Sequence, residues 1–254
     1  MDNNDEVKKI VAVSYDKLNS FMESSGLFVP KKRDITTVTG IIKSTAFGLS
    51  RDIWVKRFNY KGHWNFLVKK SFGNKAKRLY HTNLRLYEKG LPVPKPITYF
   101  EPSLKQKYSF FLSDFIDNAD NLASVYINRG FTETKGITLL LSNTLAEWHL
   151  SGAVHGDLKW SNILLQNSDD RYEFFLIDLD QSKLYSAPSI RGIVKDLKRF
   201  YRYSLELNAE EWVKSSFFPA YSSLLPDNIR SRIDLTSIVN RARKEWIRKG
   251  ERRI

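Results

Sequence analysis

The chain has 254 residues, of which 42% are hydrophobic and 27% are charged, a composition that excludes a disordered chain and suits one large domain or two lobes. It contains no cysteine, which excludes disulfides and thiolate metal sites. The formal charge of +13 favours an anionic partner such as nucleic acid, an anionic membrane surface, or a phosphorylated or carboxylated substrate. A basic surface without a specific partner is the alternative.

The ends and the hydropathy of the sequence predict a cytoplasmic protein. No apolar run approaches the length that crosses a bilayer. The first ten residues, MDNNDEVKKI, are polar and lack the pattern of a signal peptide.

The first half of the chain predicts mainly strands. Residues 1–34 form a polar lead-in with one short helix around Val7 to Met22. The segments VTGIIKSTAFGL and DIWVKRFNY predict two strands. GNKAKRLYHTNLRLYEKG has helical composition and ends at Gly90, a residue suited to a C-cap. The prolines of LPVPKPITYFE require an extended chain, and YSFFLSDFID predicts a further strand.

The second half predicts mainly helices. TKGITLLLSNTLAEWHLSG predicts a long apolar helix, and the turn-rich NSDDR joins two strands, NILLQ and YEFFLIDLD. The remaining helical segments are GIVKDLKRFYRYSLE, AEEWVKSSFFPAYSSLL and IDLTSIVNRARKEWIRKGERRI. We therefore predict an α+β fold with a lead-in at 1–34, a β-rich N-lobe at 35–116 and a helical C-lobe at 117–254.

The stretch AVHGDLKWSNILL, residues 153–165, carries the chemistry. Four residues separate Asp157 from Asn162. If Asn162 begins a strand that pairs with the strand ending at Asp178, the hairpin places these two side chains together at its open end, with Asp157 nearby. Their oxygens suit Mg²⁺, and Asp157 is then available to accept a proton from an attacking hydroxyl, as in protein-kinase-like phosphoryl transfer. The alternative is a polar turn with Asp178 on the surface.

The spacing matches the kinase catalytic loop, His-Arg-Asp followed by Asn, with Gly156 in the place of Arg. The second motif, IDLD, stands where kinases carry Asp-Phe-Gly. Because the loop, the hairpin and the Asp that ends an apolar strand follow in order, we favour a kinase-like interpretation.

These residues also resemble a known family. WHLSGAVHGDLKWSNILL and FFLIDLDQSK resemble the lipopolysaccharide core kinases of Gram-negative bacteria, as do NKAKRLYHTNLRLYEKGLPVPKPI and RGIVKDLKRF. By segment order, the resemblance covers roughly residues 35 to 250. It implies a two-lobed protein-kinase-like fold, ATP and Mg²⁺ as cofactors, and phosphoryl transfer to a Kdo or heptose sugar of the inner core.

The resemblance implies roles for four residues of the predicted C-lobe. Asp157 is the expected catalytic base, and Asn162 and Asp178 are the expected metal ligands. Lys159, two residues after the base, is expected to reach the transferred phosphate.

It also implies a nucleotide-binding set in the predicted N-lobe. Lys56, in IWVKRF, corresponds to the ATP-contacting lysine, although Lys43, Arg57 and Lys61 are neighbours that could be confused with it. The loop IIKSTAFG lacks the kinase Gly-x-Gly-x-x-Gly and offers Lys43 instead. Since the helix after it has no acid before Glu88, Asn83 is the expected replacement for the usual Glu partner of Lys56.

Three further residues have structural interpretations. His155 and His149 are expected to be scaffold residues and not proton carriers. Asp196 either accepts hydrogen bonds from the backbone of the catalytic loop or pairs with Lys195 or Arg199 on the helix surface.

The substrate is expected to be a small molecule or a lipid-linked glycan. Only about ten residues separate Asp180 from the helix RGIVKDLKRF, which leaves no room for the long activation segment that docks peptides. A protein of charge +13 repels polycationic acceptors and attracts a phosphorylated, carboxylated sugar. No nucleic-acid partner is expected.

The tail carries seven Lys or Arg residues between Arg241 and Ile254. It also carries an apolar stripe at helical spacing, formed by Leu235, Ile238, Val239, Ala242 and Trp246. A basic amphipathic helix with Trp can lie on the anionic cytoplasmic face of the inner membrane. The alternative is that the stripe packs on the second lobe.

Two other functions fit parts of the sequence. One is a small atypical protein kinase of the RIO or Bud type, which also lacks a long activation segment. The other is a basic pseudokinase that acts as a binding module, although the intact Asp157, Asn162 and Asp178 argue against it.

Overall fold

The computed structural model describes residues 15–24, 28–46, 48–60, 74–101, 108–130, 135–168 and 171–251. The chain forms two compact units, one of residues 1–87 and 94–116 and the other of residues 88–93 and 117–254. The predicted lobe boundary followed residue 116.

A five-stranded antiparallel sheet with strand order β1-β2-β3-β5-β4 forms the frame of the first unit. The strands are β1 (Phe28–Arg33), β2 (Thr37–Ile42), β3 (Ile53–Asn59), β4 (Pro96–Phe100) and β5 (Tyr108–Asp114). The helices are α1 (Tyr15–Ser24) and α2 (Lys75–Glu88). The central strand β3 is therefore hydrogen-bonded on both sides, which holds its side chains at defined positions.

The first unit includes part of the predicted lead-in. Helix α1 overlaps the short helix predicted around Val7 to Met22, whereas strand β1 was not predicted. Leu18 and Met22 of α1 are buried in one core with Phe28, Val55 and Phe110. The sequence signal was weak because β1 is an edge strand on which only Phe28 is buried. The part of the predicted helix before residue 15 lies outside the described residues.

The second unit contains two small sheets and most of the helices. β6 (Ala119–Asn121), β8 (Ile163–Ser168) and β9 (Arg171–Leu176) form one sheet, and β7 (Ala153–Val154) pairs with β10 (Lys183–Leu184). The helices are α3 (Leu122–Arg129), α4 (Lys135–Leu150), α5 (Ile190–Glu206), α6 (Glu210–Trp212), α7 (Phe218–Ser223), α8 (Asp227–Arg230) and α9 (Leu235–Glu251). A π-helical segment, Val213–Phe217, joins α6 to α7.

An aromatic cluster fills the core beneath the loop that precedes β8. Trp160 is fully buried, with ring centroids 5.4 Å from Phe200 and 5.5 Å from Trp212. Tyr126 contacts the same indole edge-on at 5.6 Å. Because Trp160 lies between Asp157 and Asn162 in sequence, this packing anchors the segment that joins them.

The terminal helix α9 packs against α5 along part of its length. Ile238 and Ala242 are buried, and Glu245 Oε1 lies 2.5 Å from Lys198 Nζ. Trp246 and Ile247 beyond them are 44% and 52% exposed. The predicted stripe is thus a packing surface at its start, whereas its last member is open to solvent. None of the helices in the described parts of the chain is long and apolar enough to cross a membrane.

Candidate active site

The second residue of the loop from His155 to Asn162 is a glycine that the fold requires. Gly156 has φ +82°, a left-handed conformation that costs other residues free energy. A Cβ at this position would lie 2.7 Å from the carbonyl oxygen of Gln181. This close approach explains why Gly stands where protein kinases carry Arg.

A buried carboxylate on α5 holds the loop backbone. Asp196 Oδ2 accepts a hydrogen bond from the His155 N–H at 2.6 Å, and Asp196 Oδ1 accepts one from the Gly156 N–H at 2.8 Å. The side chain of Asp196 is fully buried. The backbone role predicted for Asp196 is therefore confirmed, and these two charge-assisted bonds fix the loop just before Asp157.

Two further buried side chains support Asp196. His149 Nε2 lies 3.5 Å from Asp196 Oδ2, and His149 Nδ1 lies 2.7 Å from the hydroxyl of Tyr221. Burial raises the pKa of the Tyr221 hydroxyl, and the Asp196 charge raises it further, so this hydroxyl stays protonated. The group is a scaffold, as predicted for His149.

The imidazole of His155 connects the two halves of the site. Its Nε2 lies 3.0 Å from the Ile177 carbonyl oxygen, and its Nδ1 accepts a hydrogen bond from the Asp157 N–H at 3.3 Å. Both bonds together require a neutral ring protonated on Nε2. Burial lowers the pKa of His155, and nearby carboxylates oppose that effect only in part. His155 is thus a neutral brace between the catalytic loop and the residue before Asp178.

Asp157 itself lies between two cations. Its Oδ1 accepts a hydrogen bond from Arg199 Nε at 2.7 Å, and Lys159 Nζ lies 3.8 Å from its Oδ2. The Asp157 side chain is 22% exposed, so one side of the carboxylate is accessible to solvent. The sequence offers Asp196 as a partner of Arg199 but does not predict the bond to Asp157. Arg199 follows Asp196 by three residues on α5, so a role of Asp196 at the loop backbone also places Arg199 on the helix face towards the loop.

The hairpin places Asn162 and Asp178 at its open end. β8 and β9 pair with Ile163 opposite Leu176, and the Ile177 N–H donates to the Asn162 carbonyl at 3.0 Å. β8 begins one residue later than predicted, at Ile163, and β9 ends at Leu176, before Asp178. Asn162 ends a 3₁₀ turn, and Asp178 has a left-handed backbone (φ 61°, ψ 51°) that cannot continue a strand.

The donors at this end fit Mg²⁺. The Asn162 Nδ2 group donates to the Asp157 carbonyl at 3.0 Å, an orientation that leaves Asn162 Oδ1 as an acceptor. Asp178, two residues after the end of β9, adds an exposed carboxylate. Across the described residues, no group of three or more His, Asp or Glu side chains is placed to hold a metal ion. A two-donor site suits Mg²⁺, which binds through few protein groups and completes its shell with water and substrate phosphates.

The first unit carries the three residues that were predicted to bind nucleotide. Lys56 lies on β3 opposite Thr39 and Phe111, and its side chain is buried. The neighbouring Arg57 binds Glu23 of α1 at 2.5 Å. Because successive strand residues point to opposite faces, Arg57 and Lys56 have different surroundings.

The other two members of that set have partners within the first unit. Lys43 Nζ lies 2.7 Å from Asp52 Oδ2, and this ion pair lowers the pKa of the Asp52 carboxyl. The Asn83 side-chain amide donates to the Leu79 carbonyl at 3.0 Å, one turn earlier on α2. Both contacts stabilise local structure, at the turn after β2 and within α2.

Known proteins resemble this chain in sequence. A model of the lipopolysaccharide kinase (Kdo/WaaP) family matches residues 41–221. The 3-deoxy-D-manno-octulosonic acid kinase of Haemophilus influenzae strain 86-028NP is 27% identical over 142 residues, 52% of this chain and 58% of that protein. The enzyme of the same name from H. influenzae strain Rd is 31% identical over 126 residues, 48% of this chain and 51% of its own length. The chain thus spans little more than half the length of these relatives.

A solved structure supports the fold assignment. WaaP in complex with acyl carrier protein matches with a TM-score of 0.63 and 17% identity, covering 95% of each chain. This likeness shows a protein-kinase-like fold, as the sequence predicted. Since the family model covers residues 41–221, a span that includes Asp157, Asn162, Asp178 and Asp196, this chain belongs to the lipopolysaccharide kinase (Kdo/WaaP) family.

Proposed function

We propose that this chain transfers the γ-phosphate of ATP to a hydroxyl of 3-deoxy-D-manno-octulosonic acid (Kdo) in the inner core of lipopolysaccharide. The observation that carries the proposal is the arrangement of Asp157 beside the hairpin end that bears Asn162 and Asp178. The names of the curated relatives favour Kdo over heptose as the acceptor. The charge of +13 suits an acidic, phosphorylated glycan.

In this mechanism Asp157 orients the acceptor hydroxyl and receives its proton. The hydroxyl oxygen forms a bond to the γ-phosphorus while the bond from that phosphorus to the ADP oxygen breaks. The proton passes to the Asp157 carboxylate and then to solvent. The hydrogen bonds from the loop backbone to Asp196 hold the Asp157 carboxylate in place, so the position of Asp157 does not depend on the acceptor.

The remaining polar residues bind phosphate or metal in this proposal. Asn162 Oδ1 and the Asp178 carboxylate would hold Mg²⁺, which neutralises charge on the phosphates when bound. Lys159, two residues after Asp157, contacts the transferred phosphate, and Lys56 contacts the phosphates of ATP. Lys43 and Asn83 support the turn after β2 and the helix α2, because their side chains already bind Asp52 and Leu79.

We further propose that the distal part of α9 binds the anionic cytoplasmic face of the inner membrane. Arg243, Lys244 and Arg248 are exposed beside Trp246 and Ile247. The one acidic residue among them, Glu245, is bound by Lys198. The exposed positive charge is therefore not balanced within this part of the helix, and apolar side chains adjoin it.

Transfer of labelled phosphate to purified acceptors tests the proposed reaction. We expect ATP- and Mg²⁺-dependent labelling of Kdo-containing lipid A, and weaker labelling of a core acceptor whose Kdo is blocked and whose heptose is free. Preferential labelling of the heptose would correct the acceptor. Labelling of proteins alone would favour an atypical protein kinase, and no transfer at all would favour a pseudokinase.

A variant tests the metal ligand. Asp178→Asn should abolish turnover and weaken Mg²⁺-dependent ATP binding, whereas Asp120→Asn, an exposed aspartate on β6, should change neither. Calorimetric titration of ATP with and without Mg²⁺ measures the effect. Normal Mg²⁺ dependence in Asp178→Asn would show that the metal assignment is wrong.

A further inference from the structure

Arg199 is hydrogen-bonded to Asp157, the carboxylate that the proposed acceptor hydroxyl approaches. Arg199 Nε donates to Asp157 Oδ1 at 2.7 Å across 42 residues of sequence. The side chains are 26% and 22% exposed, so the pair faces solvent on one side. A guanidinium at this distance occupies one oxygen of the carboxylate that the acceptor hydroxyl must approach. The arginine is therefore next to the acceptor when the hydroxyl is in place.

Arg199 has binding capacity beyond this one bond. A guanidinium has five N–H donors, and the contact with Asp157 uses only Nε. Within the described part of the chain, the terminal Nη1 and Nη2 groups have no hydrogen-bond partner. Two parallel N–H groups of this kind match the two oxygens of a carboxylate or phosphate.

The position of Arg199 is fixed by the same helix that holds the catalytic loop. Asp196, one turn earlier on α5, accepts two hydrogen bonds from the loop backbone. Lys198 and Arg202 of α5 both lie within 4.0 Å of Glu245 on α9. α5 is thus tied on one side to the loop and on the other to α9, so Arg199 is presented from a rigid element.

We propose that Arg199 is the binding site for the carboxylate of the acceptor sugar. With Nε on Asp157 and its Nη groups on the acceptor, one guanidinium connects the catalytic carboxylate to the anionic group of the substrate. The acceptor hydroxyl is thereby placed at Asp157 only when the sugar carries a carboxylate. This inference rests on the proposed function, since the acceptor named for the curated relatives is an acid.

A comparison of two acceptors and two enzymes tests the site. The acceptors are Kdo-lipid A and its carboxamide analogue, which has nearly the same shape and no charge. The enzymes are the wild type and Arg199→Ala. We expect the wild type to prefer the carboxylate by about tenfold or more in kcat/KM, the usual value of a hydrogen bond to a charged group. Arg199→Ala should lose this preference through a higher KM for the acceptor, with the KM for ATP unchanged.

Lys195→Ala is the matched control, because it removes an exposed cation of α5 that takes no part in the contacts with Asp157 and Glu245. It should retain the preference for the carboxylate. Arg199→Lys keeps the charge without the fork and should recover only part of the preference. If Arg199→Ala does not fold, the acceptor preference of the wild type and the partial preference of Arg199→Lys still decide the question.

Three results would overturn the inference. If the wild type treats both acceptors alike, there is no carboxylate site. If Arg199→Ala lowers kcat equally on both acceptors at unchanged KM, the arginine only positions Asp157. If the KM for ATP rises instead, Arg199 binds the nucleotide. Failure of the proposed function is distinguished from these, because the wild type would then phosphorylate neither acceptor.

Discussion

Individual residues of the site are held by buried polar contacts. Asp196 is the centre of this group, since its two oxygens bind two consecutive backbone N–H groups. His149 Nε2 lies 3.5 Å from Asp196 Oδ2, and His149 Nδ1 contacts the Tyr221 hydroxyl. A buried carboxylate is tolerated here because charge-assisted bonds offset part of its desolvation.

The strongest prediction at this scale concerns Asp157. Asp157→Asn retains the shape of the side chain but removes the proposed proton acceptor, so we expect kcat to fall by about a hundredfold or more. ATP affinity should change little, because the proposed phosphate and metal contacts lie on other residues. Steady-state kinetics with the Kdo acceptor and ATP titration of the same preparation measure both quantities. A variant that folds and retains its turnover would remove Asp157 from the mechanism.

His155 makes stability depend on pH. Burial lowers its pKa below the ordinary value of 6.5, so the unfolded chain binds the proton more readily than the folded protein. The stabilisation from neutral His155 is complete above pH 6.5. It is lost as the pH falls towards the lower pKa that His155 has in the folded protein. Asp196, Asp178 and Asp157 oppose the shift without cancelling it.

We therefore expect the free energy of unfolding to decrease below pH 6.5, with a contribution from His155 of at most about 1.4 kcal/mol per pH unit. Urea denaturation of the wild type and of His155→Gln across this range measures that contribution as the difference in slope. NMR of the imidazole should show the neutral Nε2–H tautomer at pH 6.5. A protonated ring at that pH would contradict the assigned hydrogen bonds.

At the scale of elements, short connections bring the site together. The hairpin of β8 and β9 sets the register that places Asn162 beside Ile177, and the ladder of β7 with β10 closes the loop from the other side. The chain then enters α5 after Ser189, whose hydroxyl caps the helix. Strand pairing and helix capping thus position Asp178 and Asp196 within a short length of chain.

Substitution of Gly156 tests how closely the loop packs against the segment that contains Gln181. Gly156→Ala should destabilise the protein by about 1–3 kcal/mol and lower turnover, because the added Cβ requires a strained backbone and meets the Gln181 carbonyl. Gly90 also has a positive φ, +74°, but a Cβ there would meet nothing within 4 Å. Gly90→Ala therefore isolates the backbone cost, about 1 kcal/mol, and should leave turnover unchanged.

Urea denaturation of both variants, with activity measured on each, decides the comparison. Equal losses of stability in Gly156→Ala and Gly90→Ala would show that the contact with Gln181 is unimportant.

At the scale of the whole molecule, excess positive charge is the dominant feature. A protein of charge +13 associates with anionic surfaces at a rate that falls with ionic strength. This attraction would favour the proposed acceptor, which is anionic and lipid-linked. The proposed Kdo acceptor and the proposed membrane contact of α9 therefore place the protein at the same anionic surface.

Substitutions on α9 test the membrane contact better than removal of residues 241–254. Ala242 is buried and Glu245 binds Lys198, so a truncation would also remove packing against α5. Replacing Arg243, Lys244 and Arg248 by Gln should weaken binding to phosphatidylglycerol vesicles by at least about tenfold, since each cation contributes about 1 kcal/mol. Ile127→Ser, which removes an apolar side chain that is 67% exposed on α3, is the control and should bind normally.

Vesicle co-sedimentation at two salt concentrations measures this effect. Undiminished binding by the triple Gln variant would show that α9 is only a packing element, the alternative that its buried Ile238 and Ala242 support.

Much of the fold and part of the site could be predicted from sequence alone. Turn residues, prolines and alternating apolar positions predicted the strands β2, β3, β5, β8 and β9 and the helices α2, α4, α5 and α9, because these signals are local. The same local signals predicted that Asn162 and Asp178 lie at one end of a hairpin. The family resemblance and the kinase-like fold followed from the order of these segments. The edge strand β1 was missed because only one of its side chains is buried.

Only the tertiary structure decided which distant side chains meet. The Asp157–Arg199 bond joins residues 42 apart, and the His149–Tyr221 contact joins residues 72 apart. Neither follows from local spacing, since the first depends on how α5 packs against the loop and the second on how α7 packs against α4. Lys43 meets Asp52, nine residues later, because the strands β2 and β3 that flank them pair with each other. Sequence thus determined the chemical groups available at the site, whereas packing determined their partners, because contact energies act between surfaces that form only when the chain folds.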